Sequence, residues 1–176
     1  MEEQLILVDL QDREIGRMEK LAAHKQPTLH RAFSIFLVDS QQEKERILIQ
    51  QRAFEKYHAG GLWANACCSH PRPGEALLDA AKRRLNEELG IVCDLQEIGH
   101  FVYLHRFNDT LFEYEYDHIL LGYYSGSVFP DPREIAKTQW LEEAELSNQL
   151  LTEPGKFAPW FLTAAPIALE WIKNQK

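Results

Sequence analysis

Residues 74–90 read Gly74-Glu75-Ala76-Leu77-Leu78-Asp79-Ala80-Ala81-Lys82-Arg83-Arg84-Leu85-Asn86-Glu87-Glu88-Leu89-Gly90. Leu77, Leu78, Ala81, Leu85 and Leu89 recur at spacings of three and four, the period of one helical face. Pro73-Gly74 opens the segment and Gly90 closes it, so the pattern predicts a helix over Glu75–Leu89. Arg84 and Glu88 share a face of that helix, and Arg83 and Glu87 share a neighbouring one. Glu87 and Glu88 stand at its C-terminal end, where the macrodipole favours cations. Carboxylates set against that preference either serve a metal or make two surface Arg–Glu pairs, worth roughly a few tenths of a kcal/mol each.

Working outward, Gln4–Leu10 reads as a strand, and Met18–His24 as a short helical turn that Pro27 stops. Ala32–Asp39 and Arg46–Arg52 are β-like runs arranged as a hairpin. Leu62–Cys68, after the flexible Gly60-Gly61 pair, is a candidate short strand. Beyond the helix, Cys93–Phe107 and Leu111–Tyr124 are long β-like runs joined at Asn108-Asp109. Lys137–Leu141 reads as a strand and Glu142–Leu151 as a helix. Pro159–Lys173 reads as a helix that Pro166 kinks or breaks. Strands interrupted by one central helix, with helices trailing, make an α+β fold. No repeat or linker divides the 176 residues, so residues 1–176 are expected to form a single domain.

Apolar residues are 45% and charged residues 26% of the chain, a balance that suits a soluble globular protein rather than a disordered or fibrous one. No stretch approaches the ~18 apolar residues of a membrane span, and no membrane partner is expected. The net charge of −8 argues against a nucleic-acid binder. It leaves room for a small anionic ligand met by a local cluster of bases. The cysteines Cys67, Cys68 and Cys93 are too few, and odd in number, for a disulfide framework. The opening residues carry no basic region ahead of their apolar run, so no signal peptide is read. Free thiols fit a reducing cytoplasm, the expected location.

Three further runs carry candidate chemistry. In Glu113-Tyr114-Glu115-Tyr116-Asp117-His118, strand alternation puts the carboxylates on one face and the rings on the other. Carboxylates about 7 Å apart along one face can grip a metal or divide acid and base work. Alternatively the acidic face is solvated and the tyrosines are core. In Asn65-Ala66-Cys67-Cys68-Ser69-His70-Pro71, Cys68 and His70 point the same way in extended chain. They can form a reactive pair in which the imidazole lowers the thiol pKa, or a metal pair. Otherwise Cys68 is a small buried hydrophobe, the preferred reading for Cys67, which faces the other way. His24 and His30 flank Pro27 at a spacing that matches no zinc motif. Read alone they are loop histidines. Taken with His70, Glu113 and Glu115 they supply five nitrogen and oxygen ligands suited to Zn²⁺ or Mn²⁺. Lys20, Arg52, Lys56 and Arg84 have no local feature that sets them apart from surface charges.

The central helix resembles the Nudix box, G-x5-E-x7-R-E-U-x-E-E-x-G-U with U a bulky aliphatic residue. Here it runs Ser69, Glu75, Arg83-Arg84-Leu85, Glu87-Glu88, Gly90-Ile91. Ser69 replaces the first glycine. Arg84 replaces a glutamate that binds metal in Nudix hydrolases, which turns a metal site partly into a phosphate site. Over nearly its whole length the chain resembles one branch of that superfamily, the type I isopentenyl-diphosphate Δ-isomerases. The carriers are Glu19–His24, Leu29–Ser34, Trp63–Pro71, Glu113-Tyr114-Glu115 and Ala158-Pro159-Trp160. The resemblance implies Nudix-like mixed β-sheets packed between helices. It implies His24, His30, His70, Glu113 and Glu115 as Zn²⁺ or Mn²⁺ ligands. Cys68 and Glu115 would be catalytic, with Tyr103 assisting proton transfer. Glu88 and the Cys68 backbone carbonyl would hold Mg²⁺ against the substrate diphosphate. Lys20, Arg52, Lys56 and Arg84 would contact that diphosphate, and Trp160 would face the carbon skeleton.

The implied reaction turns isopentenyl diphosphate into dimethylallyl diphosphate, in isoprenoid biosynthesis, by adding a proton at C4 and removing one from C2. Its tertiary carbocation needs a dry site and a cation-stabilising face such as the Trp160 indole. Glu115 with Tyr103 would deliver one proton, and Cys68 as thiolate would remove the other, with the reverse allocation open. The partner is a small isoprenoid diphosphate, and a monomer or weak homodimer is expected. The alternatives are a Nudix-type diphosphate hydrolase and a non-catalytic Nudix-fold binding module.

Overall fold

The computed structural model describes residues 3–175. Met1, Glu2 and Lys176, the ends of the expected 1–176 domain, lie outside the described residues. The chain runs β1 (Gln4–Val8), β2 (Glu14–Glu19), α1 (Lys20–Lys25), β3 (His30–Asp39), β4 (Arg46–Arg52), β5 (Trp63–Asn65) and β6 (Cys67–Ser69). It continues with α2 (Leu77–Leu89), β7 (Gln96–Asn108), β8 (Leu111–Tyr123), β9 (Ile135–Glu142), α3 (Glu143–Thr152), a 3₁₀ turn at Pro154–Lys156, and α4 (Pro159–Lys173).

β3 is the hub of one nine-stranded mixed sheet. It pairs in parallel with β8, from His30 opposite Glu115 to Val38 opposite Tyr123. Its other edge meets β1 at His30, β6 at Phe33–Ile35 and β4 at Val38–Asp39. A strand buried on both faces is apolar on both, and β3 divides its side chains accordingly. Phe36 and Val38 join a core with Phe161, Ala164 and Ala168 of α4, while Phe33, Ile35 and Leu37 join one with Ala81, Leu85 and Leu89 of α2. The sheet is thus packed between helices, as expected.

α2 forms where the apolar spacing placed it, but it starts at Leu77 rather than Glu75. Glu75 is used otherwise: it accepts from the Arg72 backbone N–H at 2.9 Å and from Arg83 Nε and Nη2 at 2.7 and 2.8 Å. That clamps the loop before α2 onto the helix. Gly90 ends the helix at φ +65°, and its N–H donates to Asn86 O at 2.9 Å. The positive φ suits glycine, and a Cβ there would press on Phe129 at 3.3 Å.

Three local expectations differ from the structure. β2 was not foreseen, because Glu14–Glu19 is polar and lies at the rim, paired only with β1. Leu62–Cys68 is two short strands. The chain changes partner at Ala66, from β4 for Trp63–Asn65 to β3 for Cys67–Ser69. α4 runs unbroken through Pro166. Pro166 and Leu162, whose carbonyl loses its donor there, both lie on the exposed side, where water can replace the missing N–H.

Candidate active site

On β8, alternation sends Glu113, Glu115 and Asp117 into one cleft and Tyr114 and Tyr116 to the opposite face. The carboxylates are not solvated; they are 4%, 6% and 1% exposed. His24 reaches the cleft from α1 and His30 from the start of β3. The ring nitrogen Nδ1 of His24 donates to Lys20 O at 2.6 Å, and Nδ1 of His30 to Thr28 O at 2.8 Å. Those bonds fix both tautomers and leave each Nε2 as an acceptor. Both Nε2 atoms are buried without a hydrogen-bond partner among the described residues. His70 Nε2 stands 2.9 Å from Glu115 Oε1.

Ligand atoms of His24, His30, His70 and Glu115 lie within 4.8 Å of one another. Three imidazoles and a carboxylate, two with orphaned lone pairs, fit a divalent cation such as Zn²⁺ or Mn²⁺. Burial pushes the His70 pKa down to about 4 and lowers that of His24, which keeps both rings neutral. Burial alone would raise the Glu115 carboxyl. The neighbouring imidazoles of His30, 3.5 Å away, and His70, at 2.9 Å, outweigh that and hold it well below the usual carboxylate range. Glu113 is the fifth residue of the expected set, and here it is held beside the four by His58 Nε2 and by the Tyr103 hydroxyl at 2.7 Å. Tyr103 also reaches Glu115 Oε2 at 2.8 Å. Burial and the two carboxylates push the phenol well above its ordinary pKa, so it keeps its proton.

Cys68 and Cys67 face opposite ways, as alternation requires, Cys67 into the α2 core and Cys68 into the cleft. The expected activation by His70 is not what the structure contains. The His70 imidazole is turned to Glu115, while Cys68 Sγ meets Asn65 Oδ1 at 3.0 Å, Trp160 Nε1 at 3.1 Å and Ser34 Oγ at 3.7 Å. Burial, and then the nearby Asp117 carboxyl, push the thiol up rather than down, so Cys68 rests as a thiol and not a thiolate. Asp117 is itself pushed well above the usual range by burial and by Glu115.

The four bases line the same cleft, each with a partner. Lys20 pairs with Glu3 at 2.9 Å, Lys56 with Glu134, and Arg84 with Glu88 and, at 2.9 Å, with Glu87. Arg52 lies over the Trp160 ring at 5.1 Å, so one indole face already carries a cation. Nε of Arg52 and of Arg84 are buried without partners among the described residues, open donors for an oxyanion. Burial pushes the Glu88 carboxyl up despite Arg84.

Sequence reasoning passed over His58 and Glu134, and gave no role to Ser34, which lay inside the quoted run Leu29–Ser34. His58 follows Lys56-Tyr57 with no spacing that marks it. Ser34 and Glu134 are single polar residues whose importance depends on what crosses them in space. Asp117 was visible by alternation and Asn65 lay inside a quoted run, but neither received a role.

A NUDIX domain model matches residues 28–161. The isopentenyl-diphosphate Delta-isomerase of Burkholderia multivorans is 51% identical over 92% of this chain and 90% of its own length. That of Photobacterium profundum is 42% identical over 99% and 97%. The chain belongs to the isopentenyl-diphosphate Delta-isomerase family of the Nudix superfamily. As a member of that family it is an enzyme, an isomerase of isopentenyl diphosphate. The crystal structure of DR0079 from Deinococcus radiodurans superposes with a TM-score of 0.71 at 20% identity, over 94% of this chain and 98% of that one, a likeness of fold. Lys20 and His24 precede residue 28, so this isomerase draws one base and one imidazole from outside the matched Nudix segment. Among the described residues no helix is long and apolar enough to cross a membrane.

Proposed function

We propose that this isomerase converts isopentenyl diphosphate to dimethylallyl diphosphate with two proton-handling groups, Cys68 on β6 and Tyr103 with Glu115 on β7 and β8. The observation that carries the reading is the contact of Cys68 with Trp160 in the cleft that also holds the buried His24–His30–His70–Glu115 cluster. Lys20, Arg52, Lys56 and Arg84 bind and orient the diphosphate, and the open Nε donors of Arg52 and Arg84 suit its oxygens. The diphosphate is remote from the reacting carbons, so its binding energy serves positioning. Trp160 links the two ends, stacked on Arg52 and touching Cys68, and its apolar ring keeps water from the carbocation.

One group adds a proton at C4 while the other removes one from C2, and the double bond moves with no change of oxidation state. His24, His30, His70 and Glu115, with Glu113 adjacent, would hold Zn²⁺ or Mn²⁺, and Glu88 with the Cys68 backbone carbonyl would hold Mg²⁺ to offset the charge of the diphosphate. Such cations supply electrostatic stabilisation of anionic oxygens and fix the acidity of a bound carboxyl. Arg84 occupies the place of a hydrolase metal ligand, which weighs against phosphate release. The chain works as one cytoplasmic domain, the N-terminal hairpin included, as a monomer or weak homodimer. The test is a ¹H-NMR time course of isopentenyl diphosphate in D₂O with Mg²⁺, before and after chelation. Deuterated dimethylallyl diphosphate, lost on chelation, is expected. Phosphate release without movement of the double bond would refute the reading.

A further inference from the structure

We propose that Asn65 is the positioning residue that holds the Cys68 thiol and the Trp160 indole in one frame. The inference rests on the isomerisation reading. Asn65 is fully buried. Its amide nitrogen donates to two backbone carbonyls, Ile35 O at 3.2 Å and Cys67 O at 2.8 Å. Its oxygen accepts from Cys68 Sγ at 3.0 Å and from Trp160 Nε1 at 3.2 Å. The amide cannot be turned over. Indole nitrogen only donates and carbonyl oxygen only accepts. A flipped amide would set N–H against N–H on one side and oxygen against two oxygens on the other.

The local fold explains why the amide sits there. The sheet partner changes at Ala66, so backbone carbonyls next to the change lack part of their ladder. Asn65 bridges the two sides of it, and Gln50 Nε2 covers Ala66 O at 3.0 Å. The carbonyl oxygen of Asn65 is thereby aimed at the cleft. It fixes the direction of the thiol hydrogen and sets sulfur 3.1 Å from the indole nitrogen. On the other side Ser34, which donates to Asp117 at 2.7 Å, limits the sulfur's movement. Asn65 hydrogen-bonds none of the four bases and reaches Arg52 through the Trp160 ring, so its direct effect falls on proton transfer rather than on diphosphate binding. A proton-handling group misplaced by about 1 Å costs about a hundredfold in rate.

The experiment compares the wild-type enzyme with Asn65→Ala in D₂O. Two quantities are followed by ¹H-NMR: dimethylallyl diphosphate formed, and deuterium washed into unreacted isopentenyl diphosphate. Misplacing one of two proton-handling groups uncouples addition from removal. Asn65→Ala is expected to lose about a hundredfold in kcat with KM within about twofold, and the ratio of wash-in to product should change at least threefold. A smaller folded fraction lowers both quantities together and leaves the ratio fixed. An unchanged ratio in a folded Asn65→Ala, or a loss confined to KM, overturns the assignment. If Asn65→Ala does not fold, Trp160→Phe removes one of the two bonds to the Asn65 oxygen, and the same shift in ratio is expected. Retention of the wild-type ratio there overturns the frame. Wild-type enzyme that forms no dimethylallyl diphosphate refutes the isomerisation reading itself, an outcome distinct from either.

Discussion

Replacing Glu75 by glutamine removes one charge from a clamp that holds the loop bearing His70 against α2. The carboxylate takes a two-pronged bond from Arg83 at 2.7 and 2.8 Å and a third from the Arg72 backbone at 2.9 Å. The Arg83 bonds lead over a burial penalty and hold the Glu75 pKa down to about 2 from 4.5. At 1.36 kcal/mol per pKa unit, that shift caps the contribution at about 3 kcal/mol. Both side chains remain about one-fifth exposed, at 21% and 19%, and solvent screening brings the expectation to about 2 kcal/mol. The folded pKa lies below the unfolded one. The contribution is therefore complete above pH 4.5 and disappears as pH falls through about 2. Urea denaturation of wild type and Glu75→Gln is expected to differ by about 2 kcal/mol at pH 7 and by about 1 kcal/mol at pH 3. An equal cost at both pH values would refute the charge-based account, as would no cost at pH 7.

Cys68→Ala should abolish isomerisation in the NMR assay, a loss of about 10²–10⁴-fold, while the melting temperature moves by only a few degrees; retained turnover would remove the thiol from the mechanism. His30→Gln should lower Zn²⁺ or Mn²⁺ retained after desalting, measured by elemental analysis, by roughly 10-fold or more; undiminished metal would displace the proposed cluster. Gly90→Ala forces a Cβ into positive φ and against Phe129, and should cost about 1–2 kcal/mol in chemical denaturation with KM unaffected; a neutral result would refute the strain argument.

What could be read in advance depended on how local the determinants are. The α2 segment announces itself because its face, its start and its stop lie within seventeen consecutive residues, Gly74 to Gly90. The alternation of Glu113, Glu115 and Asp117 was equally legible, since period two is a property of any strand. Whether that face was wet or buried was not, because it depends on β3 lying beside β8 and on α4 covering the cleft. Cys68 shows the same limit. Its sequence neighbour His70 suggested an activated thiolate, whereas burial and the nearby Asp117 carboxyl keep it protonated. The bases had no local signature at all. Lys20, the Arg52–Lys56 segment and Arg84 come from three separate parts of the chain, and it was the family resemblance that singled them out. His58 escaped both routes, and only the folded loop brings it to Glu113.

The pairing of His30 with Glu115 across β3 and β8 joins positions 85 residues apart in the chain. Parallel strands brought together over such a separation form late, because a long loop must close before any contact offsets its entropy. Two of the clustered side chains are therefore separated until the central parallel pair has zipped. A shift of one residue in that register would present Tyr114 or Tyr116 to the cleft instead of Glu115. During synthesis the first half of the chain, with His24, His30 and His70 already made, must remain without its carboxylate partner until β8 emerges. The cluster is thus a marker of completed folding, assembled once β3 and β8 have met in the right alignment.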